Sequence, residues 1–232
     1  MTLASLSRAA AVSISLAGLT VAHAQTKPPA RGHPVVDVVT PSKVVNEVVV
    51  DSPGSRYVAT LPQAARDALR KDGQAILDKK TEGSGPSLLK AVVRFDRPKA
   101  EAWALITQPS TQHTYLPHVD ESKLIGAHSE DGELNDYVVA FLFTFKYRTQ
   151  HWFYADEARV EWNLDPAGGD GLTEQLGYWQ LYELDSKTTI AEYGTHIVAR
   201  GAFLNFLRSL GEKGAILDAL GAFKKHIDTA KP

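Results

Sequence analysis

Residues 85–232 present their secondary-structure signals in an order that few architectures accept. A strand-like run comes first, then short helices, then several aromatic-rich strands, and a long helix with one apolar face closes the chain. Each element carries one apolar face and must bury it against another layer. An antiparallel sheet curved around the final helix satisfies that demand and leaves a cavity between the two, so the expected class is α+β.

The N-terminal residues read differently. Arg8 precedes an almost wholly apolar, uncharged stretch over 9–22, and Ala22-His23-Ala24 places small residues just before Gln25. This is the pattern of a secretory signal over 1–24, so the protein is expected to be exported, either periplasmic or secreted. The apolar stretch is shorter than the roughly 20 residues a membrane span needs. Residues 25–60 are expected to form a flexible leader, polar and Pro-rich at 25–34, followed by a Val-rich arm over 35–50 in which Pro41 argues against a central strand.

Composition narrows the function classes. There is no cysteine, which removes disulfides, thiolate nucleophiles and a lipid-anchoring cysteine. With 25 basic and 27 acidic residues the charge is near balance, so no nucleic-acid partner is expected.

Leu61-Pro62 opens an expected helix stopped by Asp72-Gly73, and an extended segment over 74–79 can pair with 88–95 through a Gly-rich turn; 61–86 thus form a lead-in to a domain over 87–230. In that run Leu89, Ala91, Val93 and Phe95 alternate with Leu88, Lys90, Val92 and Arg94, giving one mostly buried face. Pro98 suits the first turn of the next helix with Asp96 as its cap; Ala102, Leu105 and Ile106 form the apolar stripe, with Trp103 beside it. A short helix over 111–116 ends at Pro117.

Strands are expected over 118–127, 134–145, 147–154, 159–164, 172–184 and 188–199. In the second of these Tyr137, Val139, Phe141, Phe143 and Phe145 share one face at period two. Towards the C-terminus Phe203, Phe206, Leu207 and Leu210 form one helical stripe and Ile216, Leu220, Phe223 and Ile227 another, separated by Gly211 and Gly214. The glycines predict an interruption there, either a simple bend or a hinge over the cavity mouth.

The ordered set Phe95-Asp96-Arg97-Pro98-x4-Trp103-x-Leu105-Ile106, Tyr115-Leu116-Pro117-His118-Val119, Val160-Glu161-Trp162, Gly177-Tyr178-Trp179-x-Leu181 and Thr188-Thr189-x3-Tyr193 resembles the START-like, or SRPBCC, superfamily. That superfamily includes polyketide cyclase/dehydrase-type and coenzyme Q-binding-type proteins. The resemblance implies a helix-grip fold, an antiparallel sheet wrapped around a long C-terminal helix with a cavity for lipids, quinones or polyketides. Carriers, sensors and enzymes share this fold, so the resemblance does not choose among them.

Aromatics with a few polar groups are what a small-molecule cavity requires. The candidate ligand-binding residues are Trp103, Tyr137, Phe141, Phe143, Phe145, Trp179 and Tyr193, although a strand facing a helix also needs large side chains simply to fill the core. Tyrosines are the better candidates because a buried hydroxyl needs a partner that a ligand can supply. His151 and His196 lie on expected strands and are candidate acid/base groups if they face inward. Arg148 and Glu174 are candidates for an internal charge pair or a head-group anchor. Asp165 and Asp170 suggest calcium less well than ordinary turn chemistry. No metal-ligand spacing, phosphate loop, nucleophile elbow or dinucleotide fingerprint occurs, and no cofactor is expected.

These readings point first to binding or transport of a hydrophobic small molecule or lipid, with transient membrane contact and an unknown protein partner. A cyclase/dehydrase-type enzyme using the same cavity is the alternative, and a solid domain that supports an interaction surface is the third.

Overall fold

The computed structural model describes residues 51–81, 87–129, 132–140, 144–169, 172–199 and 215–231. The expected signal, most of the leader and arm, and the helical stripe with its two glycines lie outside them. So do Phe141, Phe143 and Asp170.

Chain order begins with α1 (Pro53–Thr60) and α2 (Gln63–Asp72), then β1 (Gln74–Thr81), β2 (Ser87–Phe95) and α3 (Lys99–Ile106). A 3-10 turn over Pro109–Thr114 leads into β3 (Val119–Ser129), β4 (Gly132–Ala140), β5 (Thr144–Tyr154), β6 (Arg159–Leu164), β7 (Leu172–Asp185) and β8 (Thr188–Ala199). The last described helix is α4 (Ala215–Thr229). The strands form one eight-stranded antiparallel sheet in the order β1-β2-β8-β7-β6-β5-β4-β3. The arrangement is the expected α+β helix-grip fold.

The two faces of the sheet do different work. On the inner face Phe95, Val93, Trp179, Leu181 and Ala191 pack with Ala102 and Ile106 of α3 and with Leu220, Phe223 and Ile227 of α4. The helical spacing of that last trio puts all three under the same face of α4. On the outer face Leu61, Ala65 and Leu69 cover Ala75, Val92 and Ile190. Val92 is therefore as buried as the alternating set on its strand, because a second layer sits on its side of the sheet.

Three local expectations are corrected. The helix expected over 61–72 forms as α2, but it is preceded by a second helix, α1, that was not expected. Ser52 caps α1 by accepting from the Ser55 N–H at 3.1 Å while Ser55 Oγ accepts from the Ser52 N–H at 3.0 Å, and Pro53 fills the first turn. Tertiary contact then holds this short helix: Tyr57 stacks on Tyr182 at 4.5 Å, and Gly54 lies so close to β7 that a Cβ there would stand 2.7 Å from the Glu183 carbonyl oxygen. The chain over 134–145 is not one strand but parts of β4 and β5, paired from Ala140 opposite Thr144 onward. Two adjacent strands of the same apolar alternation look continuous in sequence when no glycine, proline or polar residue marks a boundary between them. Finally, Asp96 does not cap α3, since Pro98 holds the N-cap position.

Asp96 instead helps fasten the closing helix. Its backbone N–H donates to Asp228 Oδ1 at 2.8 Å, and its carboxylate accepts from Lys224 Nζ at 3.0 Å, with Lys224 also 2.6 Å from Asp228 Oδ2. Arg97 donates to the Ala230 carbonyl oxygen, and the Thr189 hydroxyl donates to the Arg97 carbonyl oxygen at 2.8 Å. The segments quoted above around Phe95 and Thr189 thus meet at one corner that locks α4 to the sheet.

On the outer face Glu192 joins α1 to the sheet: it accepts from Tyr57 of α1 and from Tyr178 of β7, and pairs with Lys90 Nζ at 3.1 Å. Burial alone would raise its carboxyl, but hydrogen bonds from Tyr178, Tyr57 and Lys90 outweigh it and hold the pKa below the ordinary 4.5. Asp96 is likewise held low, its partial burial being outweighed by Lys224 and Arg94. A carboxylate with a depressed folded pKa stabilises the fold above its unfolded pKa and loses that contribution as pH falls through the folded value. The melting temperature is therefore expected to fall below about pH 4.5 through these groups. Glu192→Gln should flatten part of that acid slope; an unchanged slope in the variant would rule Glu192 out as a contributor.

Candidate ligand-binding site

Between the inner face and its helical cover lies a cavity of about 150 Å³. Its floor is a run of rings set by strand pairing. Tyr137 of β4 sits opposite Tyr147 of β5, and the rings stack at 5.1 Å. Val160, Trp179 and Tyr193 stand side by side on β6, β7 and β8, with Trp179 and Tyr193 at 4.7 Å. Trp162 bridges the two groups, 6.2 Å from His151 and 5.8 Å from Tyr193. Ile106, Leu116, Val119 and Phe223 cover the space from above. Phe223 meets Trp179 and Tyr115 edge-on at 5.3 Å each, and Tyr115 stacks on His226 at 4.0 Å.

One missing side chain makes room for the largest ring. Gly177 is the cross-strand partner of Trp162, and the indole lies across it. A Cβ at Gly177 would stand 2.3 Å from Trp162 Cζ2 and 2.5 Å from Cε2.

Polar groups gather at one end of the floor. His151 is buried, and its Nδ1 is 3.4 Å from both Thr149 Oγ1 and Asn135 Nδ2. Glu133 is the cross-strand partner of His151 and accepts from Asn135 Nδ2 at 3.4 Å. Gln175 of β7 also lines the cavity; its Oε1 is buried without a hydrogen-bond partner, as is Oδ1 of the fully buried Asn135 behind the wall. Burial pushes the Tyr137 and Tyr147 hydroxyls well above their ordinary pKa, and Tyr193 up to about 12 despite its bond with Thr195. All three remain protonated, neutral donors at pH 7.

The sequence-derived candidates divide accordingly. Tyr137, Trp179, Tyr193 and His151 line the cavity. Trp103 is half-buried against the main core from α3, and Phe145 packs against the small cluster of Val139 and Ala199, outside the cavity lining. His196 faces the other way. It lies three residues from Tyr193, so strand alternation turns it to the outer face, where Nε2 is 3.8 Å from exposed Glu174. Arg148 also points outward, forked on Asp136 at 2.6 and 3.2 Å with Asp165 at 3.8 Å, and anchors nothing inside. Asp165 Oδ1 accepts from the Ala167 N–H at 3.0 Å, the turn chemistry expected of it. Among the described residues no cluster of His, Asp or Glu is arranged to hold a metal ion.

Tyr147, Thr149, Trp162 and Gln175 were missed as site residues. Tyr147 and Thr149 share alternation parity with His151 on β5, which was a usable signal. Nothing in the sequence around Gln175 marked it.

No protein-family model and no curated protein matches the chain. Solved structures do. The Zhui aromatase/cyclase from Streptomyces sp. R1128 is 11% identical, superposes with a TM-score of 0.53, and the match covers 62% of this chain and 94% of that one. A START superfamily protein from Mycobacterium smegmatis is 14% identical with a TM-score of 0.51, over 62% of this chain and 97% of that one. At such identities the likeness is one of fold: the chain has a START/SRPBCC-like fold.

Proposed function

We propose that this chain, built on a START/SRPBCC-like fold, is an exported protein that binds or transports a hydrophobic small molecule or lipid in its internal cavity. The observation that carries the reading is the ring-lined cavity between the inner face of the sheet and α4. A protein under no demand to hold a ligand gains stability by filling such a space, since each buried gap forfeits packing contacts. Export rests on the pattern of residues 1–24 and is tested by N-terminal sequencing of protein from the cell envelope, which should begin at Gln25. Among the described residues no helix is long and apolar enough to cross a membrane. Exposed Leu124 and Ile125 on edge strand β3 supply apolar side chains for transient membrane contact.

Native mass spectrometry of the mature protein, purified without detergent from its own envelope, should show a bound species that organic solvent releases. An empty protein that also refuses every apolar probe would overturn the binding reading.

His151 favours a second reading, a cyclase/dehydrase-type enzyme using the same cavity. It is a buried imidazole in the cavity wall with Thr149, Asn135 and Glu133 around it, an arrangement suited to moving a proton. On this reading His151→Gln abolishes turnover of a cavity-bound substrate while retaining its binding. Equal turnover by the variant would leave the binding function alone.

A further inference from the structure

His151 has two ring nitrogens, and the one that carries the proton decides whether this part of the cavity wall offers a donor or an acceptor. We propose that Asn135 is a positioning residue: its amide holds neutral His151 in the tautomer protonated at Nε2, so the imidazole meets a cavity guest as a hydrogen-bond donor, fitted to an acceptor such as a carbonyl oxygen. The inference deepens the functions proposed above and rests on the cavity they assign.

The polarity of the amide comes first. Asn135 is fully buried, and its Nδ2 stands 3.4 Å from Glu133 Oε2 and 3.4 Å from His151 Nδ1. A carboxylate only accepts hydrogen bonds, and an amide NH2 has two protons to donate. The group beside Glu133 is therefore the NH2, since the reversed amide would set its carbonyl oxygen against the carboxylate. With one proton given to Glu133, the other lies toward Nδ1.

Nδ1 is then the accepting nitrogen. A proton on it would face the amide N–H at 3.4 Å, donor against donor. In a neutral imidazole one nitrogen donates while the other accepts, and the bond made by one sets the state of the other. The proton sits on Nε2.

Thr149 does not decide the matter. Its Oγ1 is also 3.4 Å from Nδ1, but a hydroxyl rotates to suit either tautomer. The amide cannot. Strand register builds the arrangement, with Glu133 opposite His151 and Asn135 opposite Thr149, all four on the inner face. His151 lines the cavity, and its Nδ1 is taken up within the wall. A guest that meets a ring nitrogen of His151 meets the Nε2 proton.

The test is nitrogen-15 NMR of the mature protein, labelled in its histidines, stripped of any native ligand and held at a pH where the His151 ring is neutral. Protonated and bare ring nitrogens resonate far apart, and His151→Gln identifies the signals by their loss. The unmodified protein should show a protonated Nε2 and a bare Nδ1. Asn135→Leu keeps the bulk and removes the amide, so both signals should shift toward an average of the two tautomers. Thr149→Val and Glu133→Gln should leave them unshifted, since the amide stays and a glutamine carbonyl still accepts from it. A protonated Nδ1 in the unmodified protein would overturn the inference whatever the stability of the variants, and so would an unshifted spectrum in folded Asn135→Leu.

Cyclohexanone and methylenecyclohexane, of like shape but differing in the acceptor oxygen, then probe the donor. The ketone should move the Nε2 proton downfield, and the hydrocarbon should not. Cyclohexanone that binds without moving that signal would overturn the donor role. Refusal of both probes by a protein that carried no native ligand would sink the binding function and the donor role with it. The place of the proton is read before any probe is added, so the two failures are distinguishable.

Discussion

A Gly177→Ala protein should bind its cavity ligand at least tenfold more weakly and melt several degrees lower than the unmodified protein. The added methyl would lie 2.3 Å from the Trp162 ring and 2.8 Å from the Gly194 carbonyl oxygen, so the ring must move. Trp162 is 8% exposed and is held between His151 and Tyr193, which leaves the cavity as the open direction. Overpacking of this kind costs about 1–3 kcal/mol. For a domain of this size that is about 2–4 °C per kcal/mol in melting temperature. Calorimetric binding and thermal melting measure both effects. Trp162→Phe in the Gly177→Ala background removes the colliding atoms and should restore much of the lost stability. Purely additive losses in the double variant would show that the two residues are not coupled and would sink the explanation.

Phe95→Ala should have the larger effect on stability, a loss of about 3–5 kcal/mol, with the chain still able to bind at low temperature. Phe95 is fully buried, 6.2 Å from Trp179, at the end of the strand where Asp96 and Arg97 fasten α4. Its ring fills the base of the inner core and lies outside the lining of the cavity. Truncation leaves a hole that neither the sheet nor the pinned corner can collapse into. Urea unfolding measures the loss as a lower midpoint at unchanged slope. Phe95→Leu, which keeps most of the volume, should cost less than half as much. A loss under about 1 kcal/mol for the alanine variant would mean the core relaxes around the site, against the rigidity assigned to it.

Several parts of the site were legible before the fold was known. Alternation along β2 identified Leu89, Ala91, Val93 and Phe95 as one buried set, because a strand turns successive side chains to opposite faces. Helical spacing identified Leu220, Phe223 and Ile227 for the same kind of reason. Tyr137, Trp179, Tyr193 and His151 were named, and all four line the cavity. His196 was named on equal grounds and faces outward. Periodicity within one strand fixes which residues share a face but not which face is the inner one. That needs the register between strands.

Residues 1–24 carry the pattern from which export is proposed, and the local sequence determined most of the elements and the helix-grip order. Those properties depend on periods and punctuation within a dozen residues, which the chain carries at every point. Tertiary structure decided the rest. The 134–145 run became parts of two strands, because the paired neighbours Ala140 and Thr144 outrank an apolar alternation. A short α1 persisted, because Tyr57 and Gly54 dock on β7 and tertiary contact outweighs the cost of starting so brief a helix. Gly177 became the recess for Trp162, and Gln175 Oε1 a buried acceptor without a hydrogen-bond partner. These features arise where side chains from strands far apart in sequence meet, and only the closed sheet brings them within reach of one another.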